Sequence, residues 1–121
     1  MALVVALDAG TTGVRALAFR DDGTVVGTAR RELAARYPRP GWVEQDPVEI
    51  VEAARDVLCR LAAGLDEPVA AVGITNQRET AVAWDLRHGE PCHPAVVWQD
   101  RRTAERCDAL AGAGHLDLVR R

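Results

Sequence analysis

An acid, a turn of small and hydroxylated residues and a cation stand together near the start of this 121-residue chain, in the stretch Asp8-Ala9-Gly10-Thr11-Thr12-Gly13-Val14-Arg15. Anion binding at a turn needs backbone N–H groups aimed into one concavity, small residues that let the anion approach, and hydroxyls to supplement them. Gly10, Thr11, Thr12 and Gly13 supply all three. Asp8 could hold a hydrated Mg²⁺ against phosphates, and Arg15 could neutralise phosphoryl charge. The plainer reading is a Gly-Thr hairpin with an acid at its edge. This is no Walker loop: all fifteen basic residues are Arg, so any chemistry that needs a lysine is excluded for these residues.

Two further clusters could do chemistry. In "GITNQRET", Arg78 and Glu79 are adjacent. On a regular strand they would face opposite ways, so serving one ligand requires the backbone to bend within the polar run 75–80. A guanidinium donates and a carboxylate accepts, so together they can read neighbouring hydroxyls of a polyol. An exposed ion pair after a strand is the alternative. In "AVVWQDRRT", Trp98 could lie against the carbon side of a small polyol or belong to the core. Asp100 reads as a helix cap, and Arg101 and Arg102 as a solvated helix start.

These residues need elements to position them. Residues 3–8 read as a central strand, apolar on both faces, and 14–20 as its partner. "DDGT" places Gly23 where a positive φ is required, and a third strand at about 24–31 completes an antiparallel meander. Asp46-Pro47-Val48-Glu49 is a helix start, with an acid cap and proline at the first helical position. Ile50, Val51, Ala54, Val57, Leu58 and Leu61 recur at helical spacing, and Gly64 can end the helix over one face of the meander. Residues 69–75 follow as a strand parallel to one already present. Residues 80–85 and 94–99 read as further strands. A helix at about 101–111 turns Ala104, Cys107, Leu110 and Ala111 inward.

The composition, 48% hydrophobic and 27% charged, is that of a globular chain with room for one ordinary domain. A net charge of −3 argues against a nucleic-acid partner. No apolar run approaches the ~20 residues of a membrane span, and the start lacks the basic region of a signal peptide. Cys59, Cys92 and Cys107 are widely spaced and odd in number, which suits free thiols in a reducing cytoplasm. His88, Cys92 and His93 do not match a zinc spacing.

Four stretches taken together, "ALDAGTTGVRA", "YPRPGWVEQDPVEI", "GITNQRET" and "VWQDRRTAE", resemble in order and spacing the N-terminal portion of the FGGY carbohydrate kinase family, in its glycerol-phosphorylating branch. The resemblance covers the whole chain, and "TNQRET" is its specific part. It implies an α/β, ribonuclease-H-like (actin-type ATPase) domain, incomplete here, with a mixed sheet and flanking helices. Residues 1–121 would be the N-terminal part of the first kinase domain. It implies ATP and Mg²⁺ as cofactors, glycerol as the small-molecule substrate and a cytoplasmic location, with homo-oligomerisation of the full-length protein left open. Carried over by position, Gly10, Thr11, Thr12, Gly13 and Arg15 match the nucleotide-phosphate site. Asp8 matches an acid that meets the metal through water. Arg78, Glu79 and Trp98 match glycerol contacts. Ala9 and Gly13 depart from the family's more usual Gln and Ser.

The resemblance further implies that the catalytic base and the adenine pocket lie beyond residue 121, since family members are several times longer. The expected outcome is that residues 1–121 alone do not turn over. A coupled ADP-release assay with ATP, Mg²⁺ and glycerol checks this, with an Arg78→Ala control for contaminating kinase; sustained glycerol-dependent turnover would place the base within these residues.

Overall fold

The computed structural model describes residues 2–120. Strands β1 (Leu3–Ala9), β2 (Gly13–Phe19) and β3 (Val25–Glu32) form the expected antiparallel meander. Gly23 turns the chain between β2 and β3 at φ +84°. A two-residue strand β4 (Glu44–Gln45) precedes helix α1 (Pro47–Ala63). The helix starts as its sequence dictates: the Asp46 side chain accepts from the Val48 N–H, Pro47 opens the first turn, and Gly64 caps the other end. α1 is a crossover that returns the chain to β5 (Val69–Thr75), parallel to β1, and the sheet order is β3-β2-β1-β5.

Alternation along β1 and β2 divides the sheet's two faces. Leu3, Val5 and Leu7 of β1 and Val14, Ala16 and Ala18 of β2 are buried under Ala53, Val57 and Leu61 of the helix. The intervening residues, Asp8 and Arg15 among them, point to the opposite face. α1 packs chiefly on β2 and β3, so β5 is exposed along its whole length. Val51, expected on the helix's inner side, is exposed instead, lining an open groove with Val48, Val82 and Trp84.

After β5 the structure departs from several sequence expectations. Residues 80–85 are not a strand: only Ala81 and Trp84 form isolated bridges, to Val96 and Pro91. The returning segment carries Pro91 and Pro94, which have no N–H to give a ladder. The strand expected at 94–99 shrinks to β6 (Ala95–Val96), paired antiparallel with β4. Helix α2 spans Ala104–Gly112 with Thr103 at its N-cap, not Asp100, whose carboxylate is occupied elsewhere. Ala104, Cys107, Leu110 and Ala111 are not buried, and no residue of α2 is. A single turn, α3 (Leu116–Val119), follows.

Where the first turn meets the sheet, space is short. A Cβ built on Gly13 would stand 2.7 Å from the Arg31 carbonyl oxygen of β3. The missing side chain at this position is therefore a packing requirement as well as a lost hydroxyl. Gly13→Ala is expected to lower stability by about 1–3 kcal/mol, the scale of overpacking. Urea unfolding checks this, and an unchanged midpoint would show that β3 yields freely.

Candidate active site

β1 and β2 are antiparallel partners, so Asp8 lies directly opposite Arg15. β5 adds Thr75 in the same row, on the other side of Asp8. The Arg15 guanidinium sits 3.7 Å from the Asp8 carboxylate, with both side chains about half exposed. The residues between them form a tight turn in which the Gly10 N–H donates to the Gly13 carbonyl at 3.0 Å. The main-chain N–H groups of Thr11 and Thr12 make no hydrogen bond among the described residues. Two backbone donors, two hydroxyls and a cation thus share the end of the strand, the donor set an anion requires.

The second cluster reaches this turn because β5 runs parallel to β1 and ends beside it. Past Thr75 the chain bends at Glu79, which adopts φ +68° and is the one non-glycine residue at positive φ among those described. The bend anticipated from the adjacent Arg78 and Glu79 is therefore present. A bulky residue in the left-handed region costs on the order of 1–2 kcal/mol, and such strain gathers at functional sites. Arg78 and Glu79 are exposed, and neither makes a hydrogen bond or ion pair among the described residues.

Trp98 is not core. It is half exposed, and its indole Nε1–H donates to Thr11 Oγ1 at 2.9 Å. A residue 87 positions away is thereby joined to the turn. Three further residues belong to the site and were not singled out by sequence reasoning. Gln77 Nε2 donates to the Gly10 carbonyl and to Gln45 Oε1, each at 2.9 Å. Gln45 Nε2 donates to the Thr11 carbonyl at 2.7 Å. Thr80 Oγ1 donates to Gln77 Oε1 and accepts from the Trp98 main-chain N–H. Gln77 and Thr80 lie inside the polar tract already noted. Gln45 gave no signal beyond its place before the Asp46-Pro47 helix start.

Asp100 and Arg102 do not form a solvated helix start. Asp100 Oδ2 accepts from the Val43 N–H at 2.7 Å, fastening the 94–102 segment to the one leading into β4. Arg102 donates to both Asp100 oxygens and to Glu44, and its guanidinium lies 3.8 Å over the Trp42 ring. Arg101 remains exposed. Hydrogen bonds from Arg102 above all, and from the Val43 and Arg102 main-chain N–H groups, hold the Asp100 carboxyl well below the usual carboxylate range, against the opposing effect of burial. This cluster keeps Gln45 and Trp98 at the turn.

Residues 3–121 match the family model for the FGGY family of carbohydrate kinases, N-terminal domain. A glycerol kinase of Rhodopirellula baltica is 50% identical over 122 residues, which is 98% of this chain and 22% of the relative. Among solved structures, Plasmodium falciparum glycerol kinase with ADP superposes at a TM-score of 0.84 and 26% identity, covering 93% of this chain and 23% of that one. A xylulose kinase from Rhodospirillum rubrum superposes at 0.86 and 31% identity, covering 92% and 23%. The chain spans about a quarter of the length of the curated relatives it matches.

The Asp100 cluster generates a pH-dependent expectation. Asp100→Asn keeps the shape and removes the charge, and should lower the thermal midpoint at neutral pH by about 5 °C. Because the folded carboxyl is held below its unfolded value, its contribution is complete above about pH 4 and fades as pH falls through the depressed folded value. The gap between wild type and variant therefore closes in acid. A gap that stays constant from neutral to strongly acid solution would show that shape, not charge, is what Asp100 supplies.

Proposed function

We propose that this chain, which belongs to the FGGY family of carbohydrate kinases, carries the phosphate turn and acceptor contacts of an ATP-dependent glycerol kinase that forms sn-glycerol 3-phosphate. The observation that carries the reading is the joining of the two clusters. The turn with free N–H groups at Thr11 and Thr12 is hydrogen-bonded to Trp98, on the segment that faces the bent Arg78-Glu79 tract. The relatives at about 50% identity support glycerol as the acceptor.

In this reading Gly10, Thr11, Thr12, Gly13 and Arg15 hold the ATP phosphates. The Thr11 and Thr12 amides and hydroxyls donate to phosphate oxygens, and Arg15 offsets their charge. Arg78 donates to a glycerol hydroxyl, Glu79 accepts from its neighbour, and the Trp98 ring covers the carbons. The acceptor hydroxyl then lies against the phosphate turn for in-line transfer, in which positioning and charge neutralisation supply most of the rate. No group of three or more metal-ligating side chains occurs among the described residues, so the donor set fits Mg²⁺ only indirectly, with Asp8 holding its water. Such a Mg²⁺, bound mainly by the phosphates, would neutralise their charge. Three exposed, unpaired thiols support the cytoplasm as the compartment.

A second reading, phosphorylation of another sugar or polyol, has the xylulose kinase likeness in its favour. An acceptor panel with the protein expressed from the whole reading frame separates the two, glycerol being the expected preferred acceptor. In the same protein Arg15→Ala should cost on the order of 1.5–3 kcal/mol in kcat/KM for ATP, the worth of one charge-assisted contact. Glu79→Gln should raise KM for glycerol and leave the thermal midpoint in place. A collapsed midpoint with unchanged KM would make Glu79 structural.

A further inference from the structure

Three side chains cap the turn, and each does so as a donor. Gln77 Nε2 caps the Gly10 carbonyl at 2.9 Å, Gln45 Nε2 caps the Thr11 carbonyl at 2.7 Å, and Trp98 Nε1 caps Thr11 Oγ1 at 2.9 Å. Main-chain N–H groups complete the set, Leu33 on the Thr12 carbonyl at 3.1 Å and Gly10 on the Gly13 carbonyl at 3.0 Å. All four carbonyls of the turn therefore already accept a hydrogen bond. The amides of Thr11 and Thr12 do not donate one among the described residues. Thr11 Oγ1, receiving the indole proton, keeps its own O–H as a donor.

The sorting is one-sided. A carbonyl oxygen left uncapped beside a phosphate oxygen would set acceptor against acceptor, whereas an N–H or O–H attracts it. Gln45 holds its place although its side chain is buried to 1% exposure. An amide that deep is tolerated when its bonds are made, and here both ends are used, since its Oε1 accepts from Gln77.

We propose that Gln45, Gln77 and the Trp98 indole N–H are positioning residues that hold the Gly10–Gly13 turn as a donors-only cradle, so that anion affinity at the turn is coupled to occupancy of the acceptor tract. The inference rests on the phosphate role proposed above for the turn. The coupling follows from who carries the caps. Gln77 adjoins Arg78, Thr80 bonds Gln77 and the Trp98 main chain, and Trp98 is itself the acceptor-side ring. A polyol that orders this tract orders the caps, and by linkage an anion on the turn favours the polyol by the same factor.

The test uses the isotope-labelled protein expressed from the whole reading frame, with inorganic pyrophosphate as the anion and glycerol as the polyol, followed by amide shifts. Pyrophosphate should move the Thr11 and Thr12 amides, and glycerol should tighten that binding. Gln77→Met, which keeps length and loses both donors, should weaken pyrophosphate about five- to tenfold and abolish the tightening. Trp98→Phe, at a half-exposed position, removes the indole N–H together with part of the ring and should weaken it in the same direction even if Gln77→Met unfolds. Unchanged pyrophosphate affinity in both variants would overturn the inference and leave the phosphate reading standing. Weakening in both, with glycerol inert in the wild type, would support donor capping, remove the coupling and count against the polyol reading. No pyrophosphate shift at Thr11 or Thr12 in the wild type would overturn both.

Discussion

The parallel pairing of β5 with β1 is the constraint on which the site depends, because it ends two strands from distant parts of the chain at the same edge. β1 ends at Ala9, just past Asp8, and leads into the Gly10–Gly13 turn; β5 ends at Thr75 and leads into the polar tract; the register aligns Asp8 with Thr75. A parallel neighbour requires a crossover, and α1 provides it. The helix does this cheaply in local terms: its cap, its proline and its apolar stripe are all encoded within residues 46–64. Were β5 antiparallel, the same tract would leave from the opposite end of the sheet, and Arg78 and Glu79 would be a strand's length from the turn.

The second constraint is electrostatic. The segments before α1 and around β6 pair as a ladder over only two residues each, so isolated main-chain bonds, such as Val97 to Val43 and Arg101 to Gly41, and side chains hold them. Asp100, Arg102 and Glu44 form a nearly buried charged cluster, with Trp42 as its apolar floor. Charge-assisted hydrogen bonds of this kind fix direction as well as distance. Their effect at the site is indirect: they set where Gln45 and Trp98 lie, and those two residues reach the turn. Rigidity in the loops is thus imported from a cluster that does not itself bond to the Gly10–Gly13 turn.

The meander, the crossover helix and the fifth strand were legible because each is specified by neighbours in sequence: alternation, a turn glycine, a cap, a helical stripe. The turn at Asp8–Arg15 was legible for the same reason. The strand expected at 80–85 and the helix start expected at Asp100 were not, and the cause is the same in both. The apolar run at 81–84 signals a strand only if a partner edge is available, and the returning prolines limit pairing there to isolated bridges. Asp100 does accept from the Arg102 N–H, but its other oxygen is taken by a main-chain N–H 57 residues earlier, and the helix begins only after Thr103.

The sequence by itself determined which residues have the chemistry for anions and polyols, and which local elements carry them, because residue type and short-range periodicity are properties of neighbours. Only the tertiary structure decided how those residues meet. That Trp98 donates to Thr11 and that Gln45 and Gln77 cap the turn's carbonyls are results of contacts across 34 to 87 positions. A buried glutamine looks like any polar residue in a loop until the carbonyl it must satisfy is known, and that carbonyl belongs to another strand end.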